Sequence, residues 1–157
     1  MKKITIYSLI IFIIDQITKL IISFNMELNT SIPLIKNFFN ISNVHNYGAA
    51  FSILYGNRIL LISVSIIVLF AIYYFLLKTI TNRKIDIIIY SLLVGGITGN
   101  LFDRIVYGYV IDYLDFKIFG YNFPIFNIAD ICIVISMIAL IIDMLVGEKN
   151  ETKCRDK

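Results

Sequence analysis

Carboxylates within or beside long apolar runs are the residues of this sequence that could do chemistry. Asp112 lies in a Val-Ile-Asp-Tyr segment just after one apolar run, and Asp130 lies in Phe-Asn-Ile-Ala-Asp, just inside the next. A carboxylate at membrane depth costs about 2.5 to 3.5 kcal/mol even on a lenient insertion scale, so each needs a partner or a purpose. Two carboxyls brought together share one proton, so the ionised member can take a proton from water while the protonated member polarises a carbonyl. This pattern predicts metal-free hydrolysis by general acid and base catalysis.

Spacing alone leaves the pairing open, because each carboxylate could simply be solvated at the membrane interface. Asp115, three residues beyond Asp112 and also beside an aromatic residue, is a rival candidate. Asp143, near the far end of the last apolar run, is interpreted as a snorkelling or tail-paired residue. Asp15 and Lys19 are four residues apart, which is the spacing of an ion pair on one helix face. Asp15 could equally hydrogen-bond to a neighbouring helix and fix the architecture of the site.

Several amides and one arginine could complete such a site. Asn100, Asp103 and Arg104 end the third apolar run, pointing toward the connection that holds Asp112. The fork of Arg104 could hold a substrate carbonyl or a lipid phosphate, but pairing with Asp103 is the favoured interpretation. Asn46, at the head of a run of small residues before the second apolar run, could position a substrate backbone.

The sequence offers no metal or nucleophile motif. His45 is the only histidine, and Cys132 and Cys154 have neither metal-ligand nor redox spacing. Neither G-x-S-x-G nor H-E-x-x-H occurs. We therefore expect no metal, no cofactor and no disulfide.

The elements that must position these residues are transmembrane helices. The 157 residues are 59% hydrophobic, and the mean hydropathy is +0.84, so lipid is the solvent and there is room for a single domain, 1–157. The net charge is +3, but the basic residues are scattered among apolar runs, which argues against a nucleic-acid partner. Gly95 and Gly99 form a G-x-x-x-G pattern that favours close helix packing. The predicted fold is an all-α integral membrane protein with four transmembrane helices, at about 4–24, 59–77, 85–104 and 125–146.

The distribution of Lys and Arg predicts the orientation of the four spans. The N-terminus, the connection near residues 78–84 and the C-terminal tail are basic, so both termini are expected to be cytoplasmic. The longer connections, 25–57 and 105–124, would then lie outside, and both Asp112 and Asp130 would sit near the outer face. Partial alternation around Phe39, Ile41 and Val44 predicts a small extracytoplasmic extended or β element between helices 1 and 2.

Taken together, the polar segments resemble the lipoprotein signal peptidases, which are the type II bacterial signal peptidases. Any one segment is common, but five in this order on four predicted spans are specific. The five are Asp15-Gln16-Ile17-Thr18-Lys19, Asn46-Tyr47-Gly48-Ala49-Ala50-Phe51, the run from Gly95 to Arg104, Val110-Ile111-Asp112-Tyr113, and Phe126-Asn127-Ile128-Ala129-Asp130.

The resemblance implies a membrane aspartic endopeptidase that cleaves a prolipoprotein signal peptide just before a cysteine bearing a diacylglyceryl group. It places the two catalytic carboxylates on Asp112 and Asp130, and so selects against Asp115. It also implies a bacterial cell membrane location, with the prolipoprotein and membrane lipids as partners, and we expect a monomer. Supporting or site-lining roles fall on Asp15, Asn46, Asn100, Arg104 and Asn127.

Two departures from the family pattern adjoin the catalytic positions. Tyr113 replaces the usual Phe, and Ile131 stands where many members have Ser. Both put the fine shape of the pocket in doubt without removing the chemistry. Two other classes compete with the enzyme: a small transporter or proton-conducting protein, since intramembrane carboxylates also mark ion pathways, and a scaffold whose polar residues only hold helices together.

Overall fold

The computed structural model describes residues 1–48, 54–78 and 83–155. Ala49, Ala50 and Phe51 of the small-residue run lie outside this part of the chain, as do the side chains of the tail beyond Val146. The helices are α1 (Lys2–Asn25), α2 (Arg58–Lys78), α3 (Lys84–Val106) and α4 (Ile128–Arg155). The strands are β1 (Ser31–Ile35), β2 (Phe39–Asn46), β3 (Val110–Ile118) and β4 (Tyr121–Asn122).

The described part of the chain contains four helices that are long and apolar enough to cross a membrane, as the sequence predicted. Helix α3 is the central one: 56% of its apolar window is buried inside the protein, against 17% in each of the other three. It packs against α1, α2 and α4. The outer faces of the other helices are rows of exposed Ile, Leu, Val and Phe, as expected where lipid is the solvent.

Glycines on α3 let its neighbours approach closely. A Cβ atom on Gly95 would lie 2.9 Å from the Ser8 carbonyl oxygen of α1, and one on Gly96 would lie 2.6 Å from the Ala129 carbonyl oxygen of α4. A Cβ atom on Gly99 would clash with the Asp15 carboxylate. Gly95 and Gly99 therefore allow close packing, as predicted, and Gly96 allows it against α4.

A four-stranded antiparallel sheet in the order β1-β2-β3-β4 covers one end of the helix bundle. The extended element predicted between the first two helices is present as β1 and β2, but it is only half of the sheet. Strands β3 and β4 come from the connection between α3 and α4, so Asp112 lies on a strand and not on a loop. A bulge places one extra residue on β2 between the Ile41 to Leu114 and Val44 to Asp112 pairs.

Helix α4 differs from its predicted bounds at both ends. It begins at Ile128 and not near residue 125, because Phe126 still bridges to Leu114 of the sheet. A short apolar run cannot by itself be divided between strand and helix. The helix also continues to Arg155 through a segment rich in Glu and Lys, which are good helix formers, whereas its apolar span ends at Val146 as predicted.

Candidate active site

Asn127 and Asp130 form a reciprocal cap at the start of α4. The Asp130 backbone N–H donates to Asn127 Oδ1 at 3.0 Å, and the Asn127 backbone N–H donates to Asp130 Oδ2 at 3.2 Å. This is a capping box, with Asn at the N-cap and a short acidic residue three positions later. The Asp130 carboxylate is thereby fixed at the positive end of the helix dipole.

Asp112 lies on β3 and is held by two amides. Asn127 Nδ2 donates to Asp112 Oδ1 at 2.6 Å, and Asn46 Nδ2 of the neighbouring strand β2 donates to Asp112 Oδ2 at 2.9 Å. The side chain is only 3% exposed. Burial, followed by the charge of Asp130, raises the pKa of the Asp112 carboxyl from 3.8 to about 7.

One residue, Asn127, contacts both of the predicted catalytic residues. Its side-chain nitrogen donates to the Asp112 carboxylate, and its backbone N–H donates to the Asp130 carboxylate. Its side-chain oxygen accepts the backbone N–H of Asp130. Asn127 is fully buried, so these contacts are shielded from solvent. Because the charge of Asp130 also raises the pKa of the Asp112 carboxyl, the two groups are electrostatically coupled.

Asn100 of α3 links the pair to a buried charge cluster. Its Nδ2 donates to Asp130 Oδ1 at 2.7 Å, while its Oδ1 accepts from Lys19 Nζ at 2.9 Å. The Lys19 ammonium also contacts Asp15 and Asp103, each at 2.8 Å. The ion pair predicted between Asp15 and Lys19 is present, and it is part of a larger network.

Arg104 does not pair with Asp103, contrary to the favoured interpretation of the sequence. The two residues are adjacent on α3, and neighbours one apart on a helix do not face each other. Asp103 instead pairs with Lys19, and Arg104 donates to the carbonyl oxygens of Gly48 at 3.0 Å and Asn100 at 3.3 Å. Within the described ranges, no hydrogen-bond acceptor faces the buried Arg104 Nε.

Asp15 supports the site from α1. Its Oδ1 accepts the backbone N–H of Ala129 at 3.0 Å, in the first turn of α4. Its Oδ2 accepts from Lys19 and from Gln16, which also donates to Asp103 at 2.8 Å. Asp15 thus connects α1 to the residue next to Asp130, as the alternative interpretation of the sequence held.

A cavity of about 530 Å³ opens beside the carboxylate pair. This volume is within the usual range of ligand sites. Five polar residues lie along one side of it: Asn46, Asn100, Arg104, Asp112 and Asp130. The rest of its wall is apolar and includes Val134 and Ile135, which are also exposed on the outer face of α4. The cavity can therefore be reached sideways, from the lipid.

The two other carboxylates considered from the sequence lie away from this cluster. Asp115 is three residues from Asp112 on the same strand, where side chains alternate between faces, and it accepts from Asn40 and Ser42 of β2. Asp143 pairs with Arg83 at 2.6 Å near the opposite end of α3 and α4. Both have structural partners.

Comparisons with known proteins identify the family of the chain. A family model described as Signal peptidase (SPase) II matches residues 7–146. Lipoprotein signal peptidases of Staphylococcus aureus strains JH9 and Newman are each 42% identical over 139 residues, covering 88% of this chain and 85% of the relative. The chain belongs to the signal peptidase II family.

Solved structures of two bacterial membrane enzymes share the fold. One has a TM-score of 0.88 at 38% identity and covers 96% of this chain and 92% of its own. The other has a TM-score of 0.83 at 39% identity, covering 92% and 94%. The resemblance seen in the sequence is confirmed. Signal peptidase II is a membrane aspartic protease, so the protein is a multipass bacterial membrane enzyme and not a transporter or a scaffold.

The two departures from the usual signal peptidase II pattern have different surroundings. The Tyr113 side chain is buried, and its hydroxyl donates to Thr18 Oγ1 of α1 at 3.0 Å, so the extra oxygen is satisfied away from the cavity. Ile131 lines the cavity beside Asp130. Of the two, only Ile131 contributes to the shape of the pocket.

Sequence reasoning had not placed Lys19, Asp103 or Gln16 at the site of this signal peptidase II family member. Lys19 and Asp103 had been given ion-pair roles only. The available signal was that a lysine at membrane depth needs more than one acceptor, whereas Asp15 was its only candidate on the same helix. The further acceptors come from α3, 81 and 84 positions along the chain, and no spacing rule reaches that far.

Proposed function

We propose that the protein removes signal peptides from prolipoproteins whose cysteine carries a diacylglyceryl group, and that it cleaves just before that cysteine with Asp112 and Asp130. The observation that supports this most is that Asn127 donates to both carboxylates beside a cavity open to lipid, from its side-chain Nδ2 to Asp112 and from its backbone N–H to Asp130. The names of the curated relatives point to the same class of substrate.

The pair can hydrolyse a peptide without a metal. The carboxylate that starts ionised takes a proton from water, and the hydroxide so formed attacks the scissile carbonyl carbon while the carboxyl that starts protonated transfers its proton to the carbonyl oxygen. As the C–N bond breaks, the carboxyl that gained the water proton passes it to the leaving nitrogen. A hydroxyl of the tetrahedral intermediate returns a proton to the other carboxylate, and both groups are again in their starting states.

The substrate reaches this chemistry from within the membrane. The apolar wall of the cavity, including Ile131, Val134 and Ile135, would hold the acyl chains. Asn46 and Arg104 would hold the peptide backbone near the carboxylates. We expect the protein to act as a monomer, because one chain supplies the pair and the amides that hold it.

The active site is proposed to face the outside of the cell. The sheet and the carboxylate pair lie at the end of the bundle where α1 and α3 finish and α4 begins. The opposite end carries Lys2, Lys3, Arg83 and Lys84, which matches the excess of basic residues expected on the cytoplasmic side.

Lipid dependence tests the proposed substrate. The purified protein in lipid bilayers is given a prolipoprotein with a diacylglyceryl cysteine, or the same precursor with the cysteine unmodified. The modified precursor should be cleaved, and mass spectrometry should find the lipid-bearing cysteine as the new N-terminus. No cleavage of the modified precursor, or equal cleavage of both, would exclude this function.

A further inference from the structure

Lys19 is a buried cation with all of its donors used. The side chain is 1% exposed, and Nζ contacts Asp15 Oδ2, Asp103 Oδ2 and Asn100 Oδ1 at 2.8, 2.8 and 2.9 Å. An ammonium has three hydrogens and no lone pair, so it can only donate. A charge this deep is tolerated only when paired, and the two carboxylates provide that.

The contact of Lys19 with Asn100 sets the orientation of the Asn100 side-chain amide. Because Lys19 can only donate, the Asn100 side chain must turn its oxygen toward the ammonium. Its NH₂ group must then face Asp130, which accepts it at 2.7 Å. An amide that was free to flip could present its oxygen to Asp130 and accept a hydrogen bond from the carboxylic acid instead. Lys19 at 2.9 Å, with a longer contact from Asn127 Nδ2 at 3.3 Å, keeps the Asn100 oxygen turned away from Asp130. The donor that then faces Asp130 favours the ionised carboxylate.

The other contacts of the two carboxylates also favour the charged form at Asp130 over that at Asp112. Asp130 sits at the N-terminus of α4 and also accepts the backbone N–H of Asn127. Asp112 lies on a strand and is almost fully buried, and the donors to it from the described part of the chain are the two neutral amides of Asn46 and Asn127. The charged form is therefore better stabilised at Asp130 than at Asp112.

We propose that Lys19 is a positioning residue which, through Asn100, holds Asp130 as the ionised member of the pair and leaves the shared proton on Asp112. The proposal rests on the proposed function, because it assigns roles within that reaction. Asp130 would then take the proton from water, and Asp112 would donate to the scissile carbonyl. Lys19 touches no substrate; it acts on the reaction only through the Asn100 amide.

Two variants test this role by different routes. Asn100→Ala keeps all three buried charges but breaks the link to Asp130. Lys19→Met combined with Asp103→Asn removes the cation together with one carboxylate, so the cluster keeps its net charge. In both variants we expect the acidic limb of the pH profile of kcat to lie at higher pH than in the wild type, by about one pH unit or more. The kcat at neutral pH should be lower, and KM should change little. Lys84→Met, an exposed lysine at the start of α3, is the control and should leave the profile unchanged.

A third variant tests whether Lys19 acts through Asn100. Adding Lys19→Met and Asp103→Asn to Asn100→Ala should move the acidic limb no further than Asn100→Ala alone. Thermal unfolding of each variant identifies any that fail to fold, and Asn100→Ala alone then decides. If the wild type cleaves the precursor and Asn100→Ala shows no shift of the acidic limb, the proposal is wrong. It is also wrong if Lys19→Met with Asp103→Asn moves the acidic limb equally in proteins with and without Asn100. Both results leave the proposed function intact. Absence of cleavage by the wild type would instead overturn the proposed function.

Discussion

Asn127 shows how one residue type at one position can serve both fold and chemistry. Its oxygen caps α4 and its nitrogen binds Asp112, because an amide carries both an acceptor and a donor. The pattern N-x-x-D before an apolar run is readable in the sequence as a helix start. The bond to Asp112 is not, because it depends on where β3 lies.

The pH dependence of the reaction follows from Asp112. Burial and the charge of Asp130 raise the pKa of the Asp112 carboxyl to about 7, whereas an unperturbed aspartate has 3.8. Below about 7 this carboxyl keeps its proton, and above it the proton is lost. Since the reaction needs one protonated carboxyl, kcat should fall as the pH rises through about 7.

Steady-state kinetics on the diacylglyceryl precursor between about pH 5 and 9 would measure this limb. Asp115→Asn is the matched control, because Asp115 is bonded to β2 and not to the pair, and it should show the same limb. A rate that stays flat or increases between about pH 6 and 8 would contradict a protonated Asp112 in the reaction.

At the scale of elements, the close contact between α3 and α4 sets the position of Asp130. Gly96 lies against the Ala129 carbonyl, one residue before Asp130, with no room for a methyl group. The sequence predicted close packing from Gly95 and Gly99. It did not predict the role of Gly96, which needs the register of α4 against α3.

Gly96→Ala should therefore impair both stability and catalysis. Alanine is favoured over glycine in a helix by about 1 kcal/mol, but the new Cβ would lie 2.6 Å from a backbone oxygen that cannot turn aside. Overpacking of this kind costs about 1 to 3 kcal/mol. We expect a lower Tm, and a kcat reduced by about tenfold or more as Asp130 shifts.

Thermal unfolding and the cleavage assay measure these two effects. Ile88→Ala, on the exposed side of the same helix, is the control and should keep nearly the wild-type kcat. Wild-type Tm and kcat in Gly96→Ala would mean that the two helices are not held this closely.

For the whole molecule, the sequence predicted the four spans, and the motif order predicted the family. Hydrophobicity over about 20 residues is a strong signal because lipid requires it. The four-stranded sheet was only half predicted, since its register depends on pairing between β2 and β3, about 70 residues apart on the chain. The contacts of Lys19 with α3 and of Arg104 with Gly48 were not predicted for the same reason.

The orientation of the protein in the membrane remains a prediction that labelling can test. Lys36→Cys, at the exposed turn between β1 and β2, should react with an impermeant maleimide on intact cells. The native Cys154 in the tail should react only after the membrane is permeabilised. Peptide mass spectrometry separates the two labels, and labelling in the reverse order would place the active site in the cytoplasm.

The central claim is that Asp112 and Asp130 together cleave the precursor. The most direct measurement is the cleavage rate of the diacylglyceryl precursor by Asp112→Asn, Asp130→Asn and Asp115→Asn, each purified and confirmed to be inserted in the membrane. The first two should lose about 10²- to 10⁴-fold or more of the activity, and Asp115→Asn should retain it. Full activity in either of the first two, or loss in Asp115→Asn, would contradict the assignment.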